Sequence, residues 1–338
     1  MHNHSCVQGS CLGAPIFNYY TMDLQKISNF SLICFADDTN AILANKDINE
    51  LARSANTELE KINQYMAANT LLINKQKTAY MIFSPKGAKK QALNEKIYIG
   101  DTQILQVKQA KYLGIILDDK LNFKAQFEHL KMKLKGAIRA LITVRNDINL
   151  RAKKLLYDSL FKSHLEYCSI TYMDSLNNNQ ISFLSRLQKK AVRLIFNARP
   201  KSHTSKLFKI AKINPVNMLY QNEATKFIFQ NKTELLRYKQ PAAIRELIDD
   251  SPVIRETRWS KDPMLIKLKK EYKKGNCIYN IINEWNNGND KYKMAGNLWI
   301  LKIWLNESTL ENIEECKTPN CKTCELSTST NINKNNIS

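Results

Sequence analysis

The 338-residue chain carries 51 Lys and Arg against 31 Asp and Glu, a net charge of +20, and is 43% hydrophobic. That apolar share suffices for real cores, and the length suits about two domains. No apolar run nears the roughly 18 residues of a membrane span, and the start lacks a signal-peptide pattern, so an intracellular chain, nuclear or cytoplasmic and not secreted, is expected.

The charge is uneven. Residues 1–118 hold a net +2 and residues 119–338 a net +18. A polyanion is the natural partner of the second region; Lys-rich helices that are merely solvated give the same composition. The eight Cys are scattered and form no disulfide framework.

In chain order, Val7 to Leu24 opens with Gln8, Gly9 and Ser10. Gly9 lets a ligand approach the backbone, and Ser10 can cap a helix whose Leu12, Ile16, Phe17, Tyr20 and Leu24 recur near helical spacing. Leu32 to Phe35 then reads as one buried strand and Ala41 to Leu43 as the next, with Asp37 and Asp38 at the hairpin tip. Adjacent carboxylates repel unless a cation compensates, as Mg²⁺ does when held by carboxylates and substrate phosphates. A polar turn reads the same way.

Asp47 predicts the cap of a long helix with Ile48, Leu51, Ala55, Leu59, Ile62 and Met66 on one face, packed on the sheet of Asp37 and Asp38. Leu71 to Phe83 predicts a loop and a strand. A Gly100-Asp101 turn joins Ile97–Ile99 to Gln103–Val107 as a hairpin, and Lys111 to Leu117 reads as another strand. Residues 1–118 thus form an α+β module.

Helices dominate from residue 119. Phe123 to Arg145 and Leu150 to Cys168 read as long amphipathic helices. The helix over Ile181 to Phe196 carries Arg186, Lys189, Lys190 and Arg193, which can track a phosphate backbone or form a solvated face. Further helices are expected over 206–213, 218–238, 241–249, 264–272, 278–284 and 296–305, and a disordered end over 326–338. Cys316, Cys321 and Cys324 give three thiols that supply most of a tetrahedral Zn²⁺ site, with free intracellular thiols as the alternative.

The order of these motifs resembles the C-terminal part of a non-LTR retrotransposon reverse transcriptase, LINE-type, of the Jockey or CR1 kind. Gln8 to Phe17 looks like the family's QGSxLGPxLF block, and Phe35-Ala-Asp-Asp38 like its [YF]xDD hairpin. Leu72 to Phe83 is similar to its LNxxKTxxMxF block, Lys111 to Asp119 to its YLG strand, and Leu187 to Ile195 to its LQxxAxRxI helix.

The resemblance implies an α+β fold, with a partial palm over 1–118, an all-α thumb-like region over 119–200, a helical region over 201–310 and a Cys-containing tail over 311–338. It implies RNA-directed DNA polymerase chemistry on an RNA template, a DNA primer and dNTPs. Asp37 and Asp38 would bind Mg²⁺, and Lys77 would stand near the pyrophosphate as a general acid. Gln8, Gly9, Ser10 and Phe35 would line the substrate pocket, and Tyr112, Leu113 and Gly114 would support the primer end. The family's first metal-binding aspartate lies on a strand before the QGS block, and only six residues precede Val7. A chain that cannot polymerise alone is therefore expected. The alternative is a co-opted or decayed element fragment that only binds nucleic acid.

Overall fold

The computed structural model describes residues 10–84, 93–236, 285, 292, 295 and 297–313. Helices and small sheets combine as an α+β architecture. The chain divides into two compact units, residues 1–110 and 111–338.

The first unit runs α1 (Gly13–Tyr20), α2 (Leu24–Ile27), β1 (Ser31–Phe35), β2 (Asp38–Ile42), α3 (Ile48–Ala68), β3 (Ala79–Tyr80), β4 (Tyr98–Ile99), β5 (Thr102–Gln103) and β6 (Leu105–Gln106). The Asp47 carboxylate accepts from the Asn49 and Glu50 amides and starts α3 as expected. One side of α3 gathers Leu24, Phe30, Leu32 and Leu43 around Ile62, and another packs Ala52 on Ile97, Ile99 and Ile104. The Gly100-Asp101 hairpin forms in the expected place, with Tyr98 opposite Gln103 and Gly100 at φ +53°. β3 is shorter than the expected strand and pairs in parallel with β6.

Two expectations for this unit fail. Within β1 only Leu32 is half-buried, while Ile33 and Phe35 are 47% and 61% exposed. Side chains alternate across a strand, and Leu32 alone of these three falls on the side gathered with Ile62 of α3. The next strand begins at Asp38 rather than Ala41, and Ala41 and Ile42 are exposed. The apolar face of α1 is likewise open, since Leu12, Ile16, Phe17 and Tyr20 are exposed and only Leu24, on α2, is buried.

β7 (Gln109–Tyr112) leads into β8 (Ile115–Asp118) as a two-stranded hairpin, where a single strand was expected. Leu113 at φ +42° and Gly114 at φ +85° turn the chain, and positive φ at both central residues is what a tight hairpin turn needs. The second unit then continues with α4 (Lys124–Val144), α5 (Leu150–Tyr157), a π turn over Asp158–Lys162, α6 (Ser163–Glu166), α7 (Ser169–Tyr172), α8 (Asn178–Ile195), α9 (Ser205–Ala211), α10 (Val216–Leu236) and α11 (Leu298–Glu311). The helix expected over 150–168 is interrupted by the π turn and ends at Glu166, and Cys168 at φ +49° redirects the chain. Helix α8 starts earlier than expected, at Asn178, because Asn177 and Gln180 form a capping box.

The main core of this unit joins Ile115 of β8 to Leu134, Ile138 and Leu141 of α4, Tyr157 and Phe161, and Leu184, Val192 and Ile195 of α8. Tyr157 stacks on Phe161 at 5.2 Å. Buried Gln188 donates to the Tyr157 hydroxyl and the Asn214 carbonyl and accepts from the Val216 amide, tying α5, α8 and the start of α10 together. A second cluster packs Ile228 and Phe229 of α10 on Trp285, Leu301 and Leu305. The expected helix over 296–305 runs instead from Leu298 to Glu311. The helices expected over 241–249, 264–272 and 278–284 lie outside the described residues.

Candidate metal hairpin and nucleic-acid interface

The β1–β2 hairpin pairs Ser31 with Ile42, Ile33 with Asn40 and Phe35 with Asp38, so Ala36 and Asp37 form a two-residue loop. Ala36 takes φ +51°, a left-handed conformation that a side chain strains and a tight reversal demands. Asp37 and Asp38 are both exposed. Cross-strand partners share a face, so Asp38 shares the open face with Phe35 and Ile33. Leu32 and Cys34 face the other side, where the Thr39 hydroxyl reaches the Cys34 sulfur.

Two hard carboxylate oxygen donors at the tip of a rigid turn suit a hard divalent cation. No group of three or more His, Cys, Asp or Glu that could hold a metal is found among the described residues. The donor chemistry fits Mg²⁺, and the donor count is short of a closed protein site.

Lys77 stands in the loop before β3. Its amide donates to the Asn74 carbonyl and side chain, and its ammonium group is exposed. No ion pair among the described residues joins it to Asp37 or Asp38. Ser10 is exposed, and its hydroxyl accepts from the Leu12 amide ahead of α1. Gln8, Gly9, Cys316, Cys321 and Cys324 lie outside the described residues.

In the second unit the Tyr112-Leu113-Gly114 turn is held from outside. The Tyr167 hydroxyl donates to the Leu113 carbonyl at 2.6 Å. A Cβ on Gly114 would stand 3.1 Å from the Tyr167 ring. His129 lies near Lys111, Lys133 and His164; burial first, then these cations, push its imidazole below the ordinary range.

The four basic residues expected on α8 separate into two kinds. Arg186, Lys189 and Lys190 are exposed. Arg193 is half-buried, and its Nε donates to the Ser202 carbonyl at 2.8 Å, so it ties down the loop after α8 instead of lying free. Burial lowers its pKa. Phe183 gathers three cations that spacing on α8 alone does not reveal. Lys131 Nζ lies 5.5 Å, Lys135 Nζ 6.0 Å and Arg186 Cζ 5.8 Å from the ring centroid. The signal in the sequence was the four-residue step from Lys131 to Lys135, on a helix whose packing against α8 is a tertiary fact.

Residues 2–117 match the family described as Reverse transcriptase (RNA-dependent DNA polymerase). Over this segment the chain is similar to reverse transcriptases of non-LTR retrotransposons. The chain is 23% identical over 197 residues to the Probable RNA-directed DNA polymerase from transposon X-element of Drosophila melanogaster, covering 56% of this chain and 21% of that protein. It is 29% identical over 164 residues to the one from transposon BS of the same organism, covering 44% and 18%. Against the RNA-directed DNA polymerase from mobile element jockey, also of Drosophila melanogaster, identity is 23% over 232 residues, covering 65% and 25%. The chain therefore spans a quarter or less of the length of these relatives. No solved structure matches it. Among the described residues, no helix is long and apolar enough to cross a membrane.

Proposed function

We propose that the chain is the metal-hairpin and duplex-gripping portion of an RNA-directed DNA polymerase that copies an RNA template from a DNA primer. The observation that carries this reading is the hairpin register. Phe35 closes against Asp38, Asp37 sits in the loop, and both carboxylates stand free at the tip. Metal ions held there would acidify a primer 3′-hydroxyl and offset charge on the incoming dNTP. Asp37 and Asp38 supply oxygens for those ions. Lys77 serves the departing pyrophosphate as proton donor. The turn at Tyr112, Leu113 and Gly114 supports the primer end, in a palm-like first region followed by thumb-like helices. The exposed Arg186, Lys189 and Lys190 meet the backbone of the template–primer duplex, which accords with the net +18 of residues 111–338.

Waters and substrate phosphates complete the roughly six oxygens about each Mg²⁺ beside one or two carboxylates, so Asp37 and Asp38 alone are too few protein donors to seat two such ions firmly. Residues 1–338 alone therefore bind a primed template without extending it. The test is primer extension on poly(rA)/oligo(dT) with Mg²⁺ and dTTP. The primer stays unextended under this reading. Mg²⁺-dependent synthesis that Asp37→Ala abolishes would overturn the claim of incompleteness.

A further inference from the structure

We infer that Lys131, Lys135 and Arg186, gathered around Phe183 where α4 packs along α8, clamp the phosphate backbone of a nucleic-acid duplex. The inference rests on the proposed duplex-gripping role and assigns it to a particular surface. Phe183 is half-buried, and its ring meets the buried Phe127 ring edge-on at 6.1 Å and 73°. That contact fixes the ring at the seam between the two helices. The three cations then converge on it from both helices, each within about 6 Å of the centroid, the range of cation–π attraction.

Such convergence is unfavourable for the protein alone. Lys131 and Lys135 are one helical turn apart, a spacing at which like charges destabilise a helix. Glu128 balances Lys131 at 2.8 Å. No carboxylate among the described residues pairs with Lys135 or Arg186. A bound polyanion supplies the missing negative charge. The row extends on both helices. Arg139 lies eight residues past Lys131, about 12 Å along α4 at the usual rise, and Lys190 one turn past Arg186. A row of that length spans about three to four phosphates at the axial rise of one strand.

The ring also decides how the nucleic acid is read. Single-strand binders offer open aromatic faces on which bases stack. Phe183 is half-buried and surrounded by cations, so the surface reads phosphates and not bases, as suits a duplex bound without regard to sequence. Phe183 acts here as a positioning residue that gathers the cations.

The test is fluorescence anisotropy of the full chain with a labelled RNA–DNA hybrid and a single-stranded RNA of equal length, across salt concentrations. Lys131→Gln, Lys135→Gln and Arg186→Gln are combined. A control combines Lys201→Gln, Lys206→Gln and Lys302→Gln, exposed positions with the same total charge change. The clamp predicts that the first variant lowers the slope of log affinity against log salt by about two to three, at about 0.9 per lost contact, with the control close to wild type. Phe183→Leu weakens binding about threefold with the slope kept, the mark of a positioning role. Equal loss in both triple variants would overturn the clamp while leaving the hairpin reading intact. So would preference for the single strand. Absence of hybrid binding by the wild-type chain at low salt would overturn the clamp and the duplex-gripping role together.

Discussion

The Tyr167 hydroxyl donates to the Leu113 carbonyl at 2.6 Å, across 54 residues of chain, and the ring of Tyr167 occupies the space beside Gly114. The YLG turn is thus both bent by its own backbone and clasped by the segment after α6. Gly114→Ala would force a Cβ into a contact of 3.1 Å at φ +85°. We expect a loss of about 1–2 kcal/mol in urea unfolding of the second unit. Tyr167→Phe, which removes only the hydroxyl, should cost about 1 kcal/mol. A Gly114→Ala protein as stable as wild type would show that the clasp is absent in solution.

Asp118 anchors the entry to α4. Its buried carboxylate accepts from the amides of Lys120, Asn122 and Phe123, at 3.1, 3.1 and 2.7 Å. These bonds hold Leu121 and Phe123 at positive φ. Asp118→Ala leaves those amides without their charged acceptor and should destabilise the second unit by about 2–3 kcal/mol in a denaturant titration.

Glu166 is held above the ordinary carboxylate value of 4.5, by burial first, with Lys162 opposing and Glu223 adding to the rise. A raised carboxyl contributes stability that is fully present below pH 4.5 and lost as pH rises through the folded value. Glu166→Gln should therefore be more stable than wild type at pH 7, and the difference should vanish near pH 4. Thermal unfolding at the two pH values reads this directly.

Glu58 has the opposite sign. Lys61 donates to it at 2.7 Å, the Asn29 amide donates at 2.7 Å, and its pKa falls below 4.5. Its contribution is present above pH 4.5 and lost as pH falls through the folded value. Glu58→Gln should be the less stable protein at pH 6, with the gap to wild type closing in acid. A gap independent of pH would show that packing, rather than charge, explains the loss.

Much of the helical framework was legible because it is local. Asp47 before an apolar repeat is a cap signal written within a few residues, and α3 follows it. The Gly100-Asp101 turn was legible for the same reason. The exposure of Ile33 and Phe35 was not, because an unbroken apolar run reads as buried on both faces and only the packing shows which face is covered. Neither the hairpin at Leu113 nor the break at Cys168 was legible, since leucine and cysteine at positive φ carry no local signature. Arg193 read as a backbone-tracking cation until its bond to the Ser202 carbonyl showed a partner nine residues away. Asp37 and Asp38 stand at the hairpin tip as expected, while Phe183 could be assigned its cations only once α4 lay beside α8.

The metal hairpin is tested most directly by Mn²⁺ titration of the full chain, followed by the loss of the free-ion electron paramagnetic resonance signal. Wild type should show a saturable bound fraction that disappears when Asp37→Asn and Asp38→Asn are combined, with the fold unchanged by circular dichroism. Equal Mn²⁺ uptake by wild type and the double variant would contradict the assignment of these two carboxylates to metal binding.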